Sequence, residues 1–123
     1  MLFRSGFSRQ KSAYIRDLAR QAREGELEFE ALPALPDREV IERLTRVKGV
    51  GVWTAHMFLM FALRRVDVLP TGDLGIRAAM RKAYGLEELP KPAEIEERAR
   101  AWRPYCSVAC WYLWRSLEEQ ANL

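Results

Sequence analysis

Apolar positions recur at intervals of three to four along nearly the whole chain, a helical and not a strand period. Tyr14, Ile15, Leu18 and Ala22 form an apolar stripe that predicts a helix over residues 8–24, with Ser8 as its cap and Gly25 as its stop. The stretch LPALP at 32–36 predicts a connector, because two prolines oppose a helix there. Asp37 is placed to cap a short helix through Val40, Ile41 and Leu44. The pattern breaks at 47–51 (VKGVG) and resumes as a longer apolar helix over 52–63. A turn-rich loop fills 67–72, and Asp73 opens a helix through Leu74, Ile76, Ala78, Ala79 and Met80 that runs to about Gly85. Pro92 fits the first turn of a helix reaching Trp102, whose Glu94, Glu96 and Glu97 suit the positive end of the helix dipole. Pro104 opens a last helix over 105–120. No segment alternates with a period of two, so the predicted fold class is all-α, in one helical domain over 1–123.

Composition narrows the function classes. The 123 residues suit one domain, and 49% apolar content supports a core and argues against disorder. The longest apolar run, 57–63, has seven residues, where a membrane-spanning helix takes about 20. The first residues also lack a secretory pattern, so a cytoplasmic location is expected. Cys106 and Cys110, with the single His56, cannot complete a four-ligand zinc site or a four-cysteine iron–sulfur cluster. They read as two half-buried cysteines one helical turn apart. The formal charge of +3 is unevenly spread: residues 38–82 hold nine basic and four acidic side chains, net +5. An anionic partner would bind there.

The informative segment is 44–55, LTRVKGVGVWTA. Two helices are joined by a tight turn whose glycines, Gly49 and Gly51, stand two apart. Glycine permits positive φ and lets backbone N–H groups approach a ligand. The first amides of the second helix lack intrahelical partners and suit a phosphate, with Lys48 in the turn and Arg43 and Arg46 just before it. The same glycines would also serve an ordinary helix–helix turn.

This hairpin, followed about twenty residues later by the loop Leu69-Pro70-Thr71-Gly72-Asp73, resembles the helix-hairpin-helix/Gly-Pro-Asp superfamily of DNA glycosylases. The stretches GVWTAHMFLMFAL (51–63), GFSRQKSAYIRDLA (6–19) and WRPYCSVACWYLWR (102–115) are similar to its 3-methyladenine DNA glycosylase II branch. The resemblance runs from about residue 6 to 115 and implies the helix-hairpin-helix glycosylase fold. It also implies hydrolysis of the N-glycosidic bond of an alkylated base flipped out of double-stranded DNA.

The resemblance implies roles residue by residue. Asp73 is the catalytic carboxylate, stabilising positive charge on the sugar and orienting or deprotonating water. Read from the sequence alone, Asp73 is also a plain helix cap, and the two roles are compatible. Trp53, Met57 and Tyr105 are the base-binding residues, since a cationic, electron-poor base is held by stacking and cation–π attraction. Lys48, Gly49, Gly51 and Thr54 contact DNA phosphates. The carbonyls of Val47 and Val50 hold a monovalent cation such as Na⁺ or K⁺, and no other cofactor is expected. Bifunctional members carry a Schiff-base lysine where this chain has Trp53, which cannot form an imine, so base removal without strand cutting is expected. His56 has no place in this chemistry.

Two departures qualify the match. Position 106, a cysteine here, is commonly arginine in the family, and Lys48 stands where many relatives have proline. Full members also carry several helices before the segment matching residue 6. The chain is then expected to be a fragment, to be completed by a second polypeptide, or to pair with its own copies. Part of the stripe Val108, Trp111, Tyr112, Trp114 and Leu117 would stay uncovered in a lone copy. A DNA-binding hairpin module without catalysis, and a small helical interaction protein, are the alternative readings.

Overall fold

A computed structural model describes residues 9–25 and 27–121, with side chains described as far as Glu118. The proposed cap Ser8 lies outside the described residues. Six α-helices follow in order: α1 Arg9–Arg23, α2 Asp37–Thr45, α3 Val52–Met57, α4 Leu74–Tyr84, α5 Pro92–Ala99 and α6 Cys106–Ala121. Among the described residues there is no strand. The chain clusters into two compact units, Met1–Ala55 and His56–Leu123.

The helix boundaries follow local chemistry, with three corrections. Leu32–Ala34 is a 3₁₀ turn, with Pro33 in its first turn, where a missing N–H costs nothing. Asp37 does not cap α2: the cap position is Pro36, and Asp37 is the first helical residue, an acid in the first turn. The apolar helix expected over 52–63 is α-helical only to Met57, and Phe58–Ala62 continues it as a π-helix. Gly25 and Gly85 both have positive φ, and the Gly85 and Leu86 amides close α4 onto Arg81 and Lys82 carbonyls. Pro92 starts α5 as expected.

In the first unit Leu27, Leu32, Val40, Leu44, Val47 and Ala55 are buried. The stripe read on α1 is rotated from expectation. Tyr14 and Leu18 are half-buried, Ile15 and Ala22 are exposed, and the buried side chains of α1 are the polar Ser12 and Gln21. Gln21 can be buried because its amide donates to the Asp17 carboxylate at 3.0 Å and to the Arg46 carbonyl at 3.1 Å. The second unit is built on α4 packed against α6. Leu59, Ile76, Met80, Ile95, Cys106 and Cys110 are among its buried side chains. Burying each large aliphatic residue contributes about 1.5–3 kcal/mol.

Both cysteines are fully buried rather than half-buried. Burial, with Asp67 beside it, pushes the Cys106 thiol up to about 11. Burial and the neighbouring Cys106 push Cys110 up to about 12. Both stay protonated at neutral pH and act as small core residues, not as nucleophiles or ligands.

Candidate functional site

The first unit holds the glycine hairpin. Its turn is built from local bonds: Val47 N donates to Leu44 O at 3.1 Å, and Val50 N to Val47 O at 3.0 Å. α3 begins beyond it, with Ala55 N donating to Gly51 O at 3.1 Å. The two glycines do different work. Gly49 has φ +88° and lies against Tyr14 of α1; a Cβ there would sit 2.2 Å from the ring. Gly51 has nothing within 4 Å of an added Cβ and is exposed. The Lys48 amide does not point outward: it donates to Asp17 Oδ2 at 2.6 Å. That bond, then the Arg20 guanidinium, holds the Asp17 carboxyl below its ordinary value of 3.8. Among the described residues, the N–H groups of Gly51, Val52 and Thr54 have no protein acceptor, and all three residues are exposed. Trp53, between them, is 50% exposed and is not a core residue.

The second unit holds the aspartate. Asp73 N donates to Pro70 O at 3.0 Å, closing a turn that delivers the residue to the start of α4. Its side chain is the N-cap of that helix, as expected: Oδ2 accepts the Ile76 N–H at 2.8 Å. The same oxygen accepts Nε1–H of Trp114 on α6 at 2.9 Å. The residue is 7% exposed. Gly75 leaves room beside this arrangement: a Cβ there would stand 3.2 Å from Asp73 Oδ2 and from the Trp114 indole. The sequence reading placed Trp114 only in an apolar stripe. The signal available there was the residue type alone: a tryptophan on a helix carries an N–H that needs an acceptor when it turns inward.

Beside this centre runs an aromatic groove of about 320 Å³. Phe61 stacks on Trp114 at 5.9 Å between centroids, and Trp111 meets Tyr112 edge to face at 5.1 Å. Ser107 of α6, which lines the groove, donates to Arg65 O at 2.7 Å and accepts Val68 N at 2.9 Å. Cys106 N donates to Asp67 Oδ1 at 3.1 Å, and Arg103 pairs with the same carboxylate at 3.1 Å. Burial works against the Asp67 anion, but these donors hold its carboxyl below the ordinary value. Tyr105, just before α6, is exposed, and Met57 at the end of α3 is half-buried. Val108, Trp111 and Tyr112 are exposed, whereas Trp114 and Leu117 are half-buried.

The family model described as HhH-GPD superfamily base excision DNA repair protein matches residues 2–104. DNA-3-methyladenine glycosylase 1 of Schizosaccharomyces pombe is 36% identical over 112 residues, 90% of this chain and 49% of that protein. The structure of S. pombe 3-methyladenine DNA glycosylase in complex with abasic DNA superposes with a TM-score of 0.86 at 35% identity, over 92% of this chain and 55% of that one. The DNA-3-methyladenine glycosidase of Bacillus halodurans superposes with a TM-score of 0.86 at 40% identity, over 98% and 56%. The chain therefore spans about half the length of these relatives.

Proposed function

The chain belongs to the HhH-GPD superfamily of base excision DNA repair proteins, and from that premise we propose that it is a monofunctional DNA glycosylase acting on alkylated bases in double-stranded DNA. The observation that carries the reading is the Asp73 carboxylate, 7% exposed and anchored by two N–H donors on one oxygen. As the bond between C1′ and the base nitrogen breaks, positive charge grows on the sugar, and a buried anion acts on it with little screening. Water then adds to C1′, its proton passes to Asp73, and the alkylated base departs with the bonding electrons. A cationic base leaves neutral, so no acid is needed to protonate it.

The remaining roles follow the same reading. The outward amides at Gly51 and Thr54, the amide of Gly49 and the side chain of Lys48 hold phosphates, which position the duplex without reading its sequence. Trp53, Met57 and Tyr105 receive the flipped base; exposed aromatic faces at positions 53 and 105 suit stacking on a cation. With Trp53 where bifunctional relatives carry lysine, the product is an abasic site in an uncut strand. A monovalent cation fits the hairpin carbonyls: Val50 O accepts no N–H among the described residues, and Val47 O accepts one, keeping a second lone pair. The exposed face of α6 pairs with a second copy or a complementing chain.

The test is release of 3-methyladenine and 7-methylguanine from methylated duplex DNA by the chain and by Asp73→Asn. Release by the wild type and a loss of at least about 100-fold in the variant are expected. Salt-sensitive binding without release would assign the chain to a DNA-binding module instead. Undiminished release by Asp73→Asn would remove Asp73 from the chemistry.

A further inference from the structure

We propose that Trp114 is the positioning residue of the catalytic carboxylate and that Gly75 leaves room beside it. The inference rests on the reading of Asp73 given above. An aspartate that only caps a helix has its carboxylate held by backbone donors of that one helix. Here Ile76 N–H and Trp114 Nε1–H converge on Oδ2 at 2.8 and 2.9 Å, from two different helices. Two donors fixed on separate elements define the carboxylate plane, and with it the direction in which the other oxygen points.

Trp114 is itself held. Its ring stacks on Phe61 of the π-helical segment with 29° between planes, and the indole N–H is a donor only. Gly75 then explains itself. Its φ is not in the left-handed region, so nothing in the backbone demands glycine, and it lies in the first turn of α4 where alanine is the better helix former. A Cβ at 75 would stand 3.2 Å from Asp73 Oδ2 and from the indole, so one of the two would have to give by a few tenths of an ångström. A methyl group at 75 would therefore press directly on the bond between 73 and 114. Displacements of about 1 Å at a reacting group cost up to about 100-fold in rate.

The experiment measures base excision under single-turnover conditions, DNA affinity, thermal unfolding and the indole ¹H–¹⁵N resonances for the wild type, Asp73→Asn, Trp114→Phe and Gly75→Ala. Trp114→Phe keeps a ring against Phe61 and removes only the donor; Gly75→Ala keeps both partners and crowds the bond. Trp114→Phe is expected to lose about 10- to 100-fold in excision rate with DNA affinity unchanged, and Gly75→Ala a smaller part of that without a matching loss of melting temperature. The Trp114 indole resonance should lie downfield and move in Asp73→Asn. If Asp73→Asn abolishes excision while Trp114→Phe and Gly75→Ala excise at the wild-type rate, the positioning role is overturned and the proposed function stands. If Asp73→Asn keeps the wild-type rate, or if the wild type excises nothing, the proposed function fails. The indole resonance then decides the bond by itself, and an unmoved resonance overturns it.

Discussion

Gly49 carries two constraints at one position. Its φ of +88° is strained for any L side chain, and the Tyr14 ring already occupies the volume a Cβ would take. Gly51, two residues on, carries neither constraint. Gly49→Ala is therefore expected to destabilise the fold by more than about 1–2 kcal/mol, the cost of the left-handed backbone alone, because Tyr14 must also move. Gly51→Ala should be close to neutral in stability and weaken DNA binding instead. Urea unfolding of the two variants separates them, and equal losses would show that the hairpin glycines are not divided in this way. In the sequence the two glycines look alike. Nothing in their spacing tells which one meets a ring from a helix more than thirty residues earlier.

At the scale of elements, polar side chains brace the hairpin and the start of α6. α1 holds the turn through Asp17, whose carboxylate accepts the Lys48 amide, and through Gln21, which reaches Arg46 O. The Asp17 carboxyl is lowered in the folded chain, so its contribution is fully present above the ordinary value of 3.8 and fades as the pH falls through the folded value. Amide exchange at Lys48 should accelerate on acidification below about pH 4 beyond the intrinsic rate, and Asp17→Asn should remove that extra pH dependence. An unchanged protection factor between pH 5 and 3 would contradict the role. Asp67 acts with the same sign at the start of α6, where Cys106 N–H and Arg103 face it. Periodicity located α1 and α6 but misjudged the inner face of α1. It scores apolar side chains, whereas here Asp17 and Gln21 of α1 meet backbone polar groups, which a side-chain pattern does not register.

At the scale of the whole molecule, the exposed aromatic face of α6 carries the proposed association. Trp111 and Tyr112, 48% and 65% exposed, lie along a groove of about 320 Å³. Apolar surface of this kind marks an interaction site. Light scattering after size exclusion should find a mass above the 14.3 kDa of one chain, rising with concentration, and Trp111→Glu should shift the distribution to monomer. A clean monomer at every concentration would leave the face without a partner among its own copies.

The sequence by itself determined the helical class, nearly every break between helices, the glycine hairpin and the placing of an aspartate at the head of α4. All of these are local: they follow from residues within a few positions of one another, where capping, proline and glycine geometry and the helical period act. The tertiary structure decided which residues complete the site. Trp114 lies 41 positions from Asp73, and Lys48 lies 31 from Asp17. A hydrogen bond between such residues depends on where two helices meet, and spacing along the chain carries no measure of that. For the same reason Cys106, a departure from the family pattern on paper, proved to be a buried core thiol at a helix start held by Asp67.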